Sequence, residues 1–160
     1  MTMVSKGLAA VVMSFMASEI PVEQQECLAL NIYHEARDQS RIGMVAVGQV
    51  VLNRVNDARF PDTICHVVKQ QRFYDPPGAP IQIGKCQFSW YCDGKSDEPT
   101  DMIAWHTAKT QAAHAYYMHY LEYDVTEGST HYHSTSVSPD WSPTKTHIVD
   151  IDDHIFYRWD

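Results

Sequence analysis

The segment CLALNIYHEA, Cys27 to Ala36, constrains this chain more than any other stretch. Wound as a helix over about 23–36, it puts Leu28, Ile32 and Glu35 at i, i+4 and i+7 on one face, and Cys27, Leu30 and Tyr33 cover much of the rest. A helix that is apolar on nearly all sides belongs in the middle of a fold. The rest of the chain must therefore wrap it. The same pattern sets an acid, Glu35, in the last turn of a buried helix. Such a carboxyl either pairs with a cation (Arg37 or Arg54), reaches solvent at the helix end, or sits half-buried at a cleft edge, where desolvation makes it hold its proton.

The wrapping elements can be read in order. Ser40 suits an N-cap for a second helix over about 41–56, whose stripe is Met44, Val47, Gly48, Val51 and Val55. Gly43 and Gly48 lower helix propensity there and point to close helix–helix contact. Phe60-Pro61 turns the chain, and DTICHVVKQ gives a short third helix with Ile64, Val67 and Val68 inward. From about Gln71 to Pro99 the text becomes a long loop rich in Pro, Gly and Asp, a length usually tied to function. Thr100 is expected to cap a long helix over about 101–121, with an Ala104, Ala108, Ala112, Ala115 row suited to tight packing. STHYHSTSV and HIFYRW then read as short strands flanking the loop SPDWSP. The expected fold class is α+β, mainly helical, with a small antiparallel β element to one side.

At 160 residues one domain is natural, spanning 23–160 after an N-terminal segment 1–22. That segment carries Lys6 and then a mostly apolar run. It reads either as a secretory leader, with Ala17 or Ser18 at the cleavage point, or as a helix docked on the domain. It is too short for stable membrane insertion. The formal charge of −8 argues against nucleic acid or an anionic membrane as partner, since both select a basic face. The four cysteines form no CxxC, which disfavours a zinc ribbon. Cys86 and Cys92 bracket a short loop that a disulfide would close, and Cys27 and Cys65 make a second pair; the alternative is four buried thiols in a reducing compartment.

The stretch CLALNIYHEARDQSRIGMVAVGQVVLNRVNDARFPDTICHVV resembles the start of the SleB/CwlJ-type cell wall hydrolase domain. The resemblance continues at QFSWYCDG, at GSTHYHSTSVSPDW and at HIFYRW, in the family's order, over about residues 24–158. One departure stands out: the family commonly reads EARGE where this chain reads EARDQ, so Asp38 and Gln39 replace Gly and a second Glu. The resemblance implies a lysozyme-like fold and a peptidoglycan-cleaving enzyme with Glu35 as its catalytic acid. It implies bacterial peptidoglycan as partner and a place in the periplasm or cell envelope, reached by export or released by a phage holin. A bacteriophage endolysin and a host remodelling enzyme both suit it.

The chemistry separates the alternatives. A hydrolytic glycosidase of the usual kind needs two carboxylates flanking the bond, ~5–9 Å apart. Asp38 and Asp93 are the only candidates for the second, and neither is convincing. A lytic transglycosylase manages with one acid, closing a 1,6-anhydro ring on the sugar's own 6-hydroxyl, and fits better than a muramidase. An N-acetylmuramoyl-L-alanine amidase would need zinc; His131 and His133 share a strand face, but no third ligand presents itself. No metal and no cofactor is expected. An inactive glycan-binding module is the non-enzyme alternative. In the loops, Gln87, Ser89, Trp90 and Tyr91, with Trp141, are candidates for sugar contact, and Phe88 is expected to plug the loop onto the domain. His131 and His133 are expected to line the cleft, with Tyr132 facing away. A monomer is expected.

Overall fold

A computed structural model of the chain describes residues 20–72 and 79–160; the reading of 1–18 as leader or docked helix lies outside them. The elements run α1 (Val22–Ala36), α2 (Arg41–Val55), α3 (Ile64–Val68), α4 (Met102–Tyr120), β1 (His131–Ser134), β2 (Thr146–Ile151) and β3 (His154–Arg158). Short 3₁₀ turns lie at Ser89–Cys92 and Ser142–Thr144. This is the mainly helical α+β architecture expected, with its β element an antiparallel sheet of order β1-β3-β2.

α1 is the central helix: it packs against α2, α3 and α4, and Leu28, Ala29, Ile32 and Ala36 have no exposed surface. Gly48 explains how the three long helices approach. A Cβ there would lie 2.9 Å from the Ala115 Cβ on α4 and 3.1 Å from Ile32 Cδ1 on α1. A methyl would force the helices to shift, and Ala108, Ala112 and Ala115 of the expected alanine row are buried. A disulfide joins Cys27 on α1 to Cys65 on α3, with Cα atoms 5.2 Å apart, and a second joins Cys86 to Cys92. Both pairings are those the sequence suggested.

The helix starts follow capping rules, with one correction. Ser40 caps α2 by accepting from the Gly43 N–H, as expected. α4 is capped by Asp101, which accepts from the Ala104 N–H; Thr100 instead donates its N–H to the Tyr33 hydroxyl. The carboxylate, a better acceptor and one residue closer, takes the cap.

The sheet was only partly legible. β1 and β3 coincide with the two stretches read as strands, but β2, which follows the expected SPDWSP loop, was not read as an element. It is largely exposed and broken by a bulge between His147 and Val149, which hides its alternation. Phe156, fully buried on β3, faces Tyr132 across β1 and Val149 across β2. That row is the sheet's inner face. The β2–β3 turn is pinned to the start of α2, because Asp152 Oδ2 accepts from the Ser40 N–H (2.9 Å) and hydroxyl (2.6 Å). Among the described residues no helix is long and apolar enough to cross a membrane.

Candidate active site

Glu35 ends α1 where the helix meets the edge strand β1. The Tyr132 hydroxyl donates to Glu35 Oε2 at 2.7 Å. Burial raises the Glu35 pKa above its ordinary value of 4.5; the Tyr132 bond, then the charges of Arg54 and His34, only partly offset it. Burial first, and then Glu35 itself, push the Tyr132 hydroxyl well above its ordinary value of 10, so it stays a donor. The pair is therefore a carboxyl whose burial favours its protonated form and a phenol that holds it in place.

This reverses one expectation. Tyr132 was expected to face away while His131 and His133 lined the cleft. Tyr132 pairs with Phe156, whose ring is in the core, so Tyr132 takes the inner face and the two histidines the outer one. The register to Phe156 decides the orientation, and only the paired strands fix it.

The outer face is an aromatic cluster. The Trp141 ring lies 5.3 Å from His131, 5.6 Å from His133 and 5.5 Å from Tyr157. The His133 ring bonds the Tyr157 hydroxyl through Nε2 and the Ser134 carbonyl through Nδ1. His131 pairs with the Thr130 hydroxyl, and burial, aided by Arg54, Lys145 and Arg59, lowers its pKa to about 3. The structure thus groups His131, His133 and Trp141 together, on the side of the sheet away from Glu35. Among the described residues, no three His, Cys, Asp or Glu side chains converge as metal ligands would.

The 3₁₀ turn supplies the other wall. Trp90 stacks on His34, 4.5 Å between centroids, and its indole N–H donates to Asn31 Oδ1 at 3.0 Å. Only 8% of Trp90 is exposed, which corrects its candidacy: the ring is an anchor of the loop and presents no face to a sugar. Phe88 is buried, as expected of a plug. The anchor seats the turn against α1 one residue from Glu35. It leaves Gln87 and Ser89 exposed and Tyr91 half-exposed. The Gln87 side chain donates to the Gln71 carbonyl at 3.1 Å, and its backbone N–H donates to Gln70 at 2.8 Å.

The other acids are engaged elsewhere. Asp93 accepts from the Lys95 N–H within its own turn, and exposed Asp38 accepts from Gln39. Gln39 explains its own departure from the family pattern. Its amide accepts from the Asp153 N–H (3.1 Å) and donates to the Asp153 carboxylate (3.3 Å). A Glu there would bring a further carboxylate beside Asp152 and Asp153, with no proton to give.

Arg54, missed by sequence as a site residue, lies behind the pair. Its Nε donates to the Thr130 carbonyl at 2.7 Å, and its guanidinium sits 5.1 Å from both the Phe60 and Phe88 rings. Burial lowers its pKa to about 10, with Tyr132 and Glu35 acting in the opposite sense, so it stays charged near neutrality. A cavity of about 570 Å³ lies apart, between the end of α2 and α4, lined by Leu52, Ile64, Tyr116 and His119 among others; Glu35 does not line it. The site is defined by its chemistry and not by the size of its hollow.

The helices pack a small antiparallel sheet against the end of α1, where Tyr132 holds the Glu35 carboxyl. Similarity to known proteins identifies the family. The profile of the Cell Wall Hydrolase family matches residues 38–157, and the chain belongs to that family. Glu35 lies just before the matched span. The spore cortex-lytic enzyme of Oceanobacillus iheyensis is 43% identical over 49 residues, and that of Bacillus cereus 39% over 49 residues; each match takes in 31% of this chain. It spans only 18% and 19% of those proteins' own lengths. Among solved structures, the catalytic domain of the germination-specific lytic transglycosylase SleB of Bacillus anthracis superposes with a TM-score of 0.61 at 25% identity, covering 87% of this chain and 97% of that one. The SleB catalytic domain of Bacillus cereus gives 0.59 at 27%, covering 87% and 95%.

Proposed function

We propose that this domain cleaves the glycan strand of bacterial peptidoglycan as a lytic transglycosylase, outside the cytoplasmic membrane, with Glu35 as the one acid–base group. The observation that carries the reading is the Glu35–Tyr132 pair: one carboxyl with its pKa raised by burial and fixed by a neutral donor, while Asp38 accepts from Gln39 and Asp93 from Lys95. Glu35 gives its proton to the glycosidic oxygen as the C1–O bond breaks. The carboxylate then takes the proton of the same sugar's 6-hydroxyl as O6 bonds to C1. The 1,6-anhydro ring closes, Glu35 regains its proton, and no water is consumed. Gln87, Ser89 and Tyr91 are proposed to contact the sugars from the loop wall. The name given to the structural neighbour supports this chemistry, and among the described residues the amidase reading finds only two histidines, engaged by Tyr157, Ser134 and Thr130.

Product mass tests it. Digested peptidoglycan should yield fragments ending in anhydro-sugar, one water lighter than hydrolysed ends. Glu35→Gln keeps the shape but has no transferable proton, and should cost at least ~10²–10⁴-fold in rate, the usual worth of general acid–base help. Wholly hydrolysed sugar ends would replace transglycosylase with muramidase, and a fully active Glu35→Gln would remove Glu35 from the chemistry.

A further inference from the structure

Arg54 carries a positive charge into the interior with 6% of its surface exposed. Its Nε is bonded to Thr130, the Phe60 and Phe88 rings flank it, and its NH1 is buried without a hydrogen-bond partner. A slot between two phenyl rings would take an apolar side chain at least as well, because a buried cation short of a bond is unfavourable. Tethering β1 to α2 accounts for the Thr130 bond but not for the charge.

The groups around it show what the charge acts on. Thr130, which accepts from Arg54, is two residues from Tyr132, which donates to Glu35. Glu35 is faced by Tyr132 from β1, by Arg54 from α2 and by His34 from its own helix. Arg54 is faced by Glu35 and Tyr132, with His131 alongside. Glu35 is the acid in this set. We propose that Arg54 is a positioning residue whose buried charge stabilises the Glu35 carboxylate during the interval between giving a proton to the glycosidic oxygen and taking one from the sugar 6-hydroxyl.

The inference rests on the proposed reaction for its purpose but not for its measurement. Unprotonated Glu35 accepts from one neutral donor, Tyr132, and is partly removed from water. A fixed cation nearby lowers the free energy of that state without giving up a proton itself. Removing the charge should make Glu35 a weaker acid and raise the barrier to its first step.

The test is the titration of the Glu35 carboxyl, followed by carbon-13 NMR on the whole chain, in Arg54→Met, Arg54→Gln and Arg54→Lys, with the pH profile of kcat alongside. In a neutral variant that folds, the Glu35 midpoint should rise by about one pH unit or more, as expected on losing a nearby opposite charge. The upper limb of the kcat profile should move with it, and kcat should fall about tenfold while KM changes little. Arg54→Lys should keep the midpoint near that of the unmodified protein. Should neither neutral variant fold, the lysine variant decides: a retained midpoint supports the charge, and a rise of a pH unit overturns it. An unmoved Glu35 midpoint in a folded Arg54→Met or Arg54→Gln protein also overturns the inference. Because the titration needs no turnover, it stands or falls separately from the transglycosylase reading, which product mass and Glu35→Gln decide.

Discussion

Two atoms of the site can be changed one at a time. Tyr132→Phe deletes only the hydroxyl that donates to Glu35 Oε2. A hydrogen bond to a charged group contributes about 1.5–3 kcal/mol, so the carboxylate form loses that support and the Glu35 pKa rises further. Activity should fall by roughly tenfold or more, and the pH at which the carboxyl ionises should move up. An NMR titration of Glu35 in the variant checks this, and an unchanged midpoint would contradict the role given to Tyr132. Glu35 also has a stability signature. Its folded-state pKa is raised, so its contribution to stability is complete below the unfolded value near 4.5 and is lost as pH rises through the folded value. Glu35→Gln cannot ionise. It should melt at the same temperature as the unmodified protein near pH 4 and at a higher one near pH 8. Of these residues the place of Glu35 at the end of a buried helix was legible in sequence, while its role came only from the family resemblance. Tyr132 was not, because its orientation depends on a register that only the paired strands fix. Arg54 was one of two cations offered as a partner for Glu35, and its burial follows only from Phe60 and Phe88, which close on it from distant parts of the chain.

At the scale of elements, helices announced themselves through periodicity, and their meeting points through small residues. Gly48 is the sharpest case. Replacing it with Ala would gain about 1 kcal/mol of helix propensity. The new methyl would also stand 2.9 Å from the Ala115 Cβ and 3.1 Å from Ile32 Cδ1, on two other helices. Overpacking of this kind costs typically 1–3 kcal/mol. The expected net effect is a loss of about 1 kcal/mol, or roughly 2–4 °C in Tm for a domain of this size. A melting temperature above that of the unmodified protein would show that the helices can part. Gly48→Ala combined with Ala115→Gly should recover part of the loss. The strands were less legible because little of the sheet is buried. β2 shows the limit: the bulge after His147 shifts its alternation by one residue, so the sequence carries no unbroken period to read. The caps fall between these cases. Thr100 and Asp101 both suit an N-cap, and the Asp101 carboxylate takes the Ala104 N–H while Tyr33 accepts from both residues' N–H groups.

Across the whole molecule, the helical and sheet portions answer to pH in opposite senses, and together they bound where the domain works. On the sheet side His131 has its pKa lowered to about 3, burial being the largest cause and the cations Arg54, Lys145 and Arg59 adding to it. His154 is lowered too, chiefly by burial. A histidine with a depressed folded pKa supports the fold fully above its unfolded value near 6.5, and that support drains away as pH falls below it. On the helical side Glu35 must be protonated to start the reaction, which is lost as pH rises. The chain should therefore be most effective between these limits, with stability failing on the acid side and proton donation on the alkaline side. His131→Phe isolates the acid limb. A phenyl ring can occupy the same place among Phe60, Trp141 and Trp159, and it forgoes only the bond to Thr130. Between pH 7 and pH 4 the melting temperature of the unmodified protein should drop, and that of His131→Phe should drop by visibly less. The alkaline limit of activity, set by Glu35, should stay where it is. Parallel melting curves for the two proteins over that range would assign the acid limb to other groups and leave His131 as packing alone.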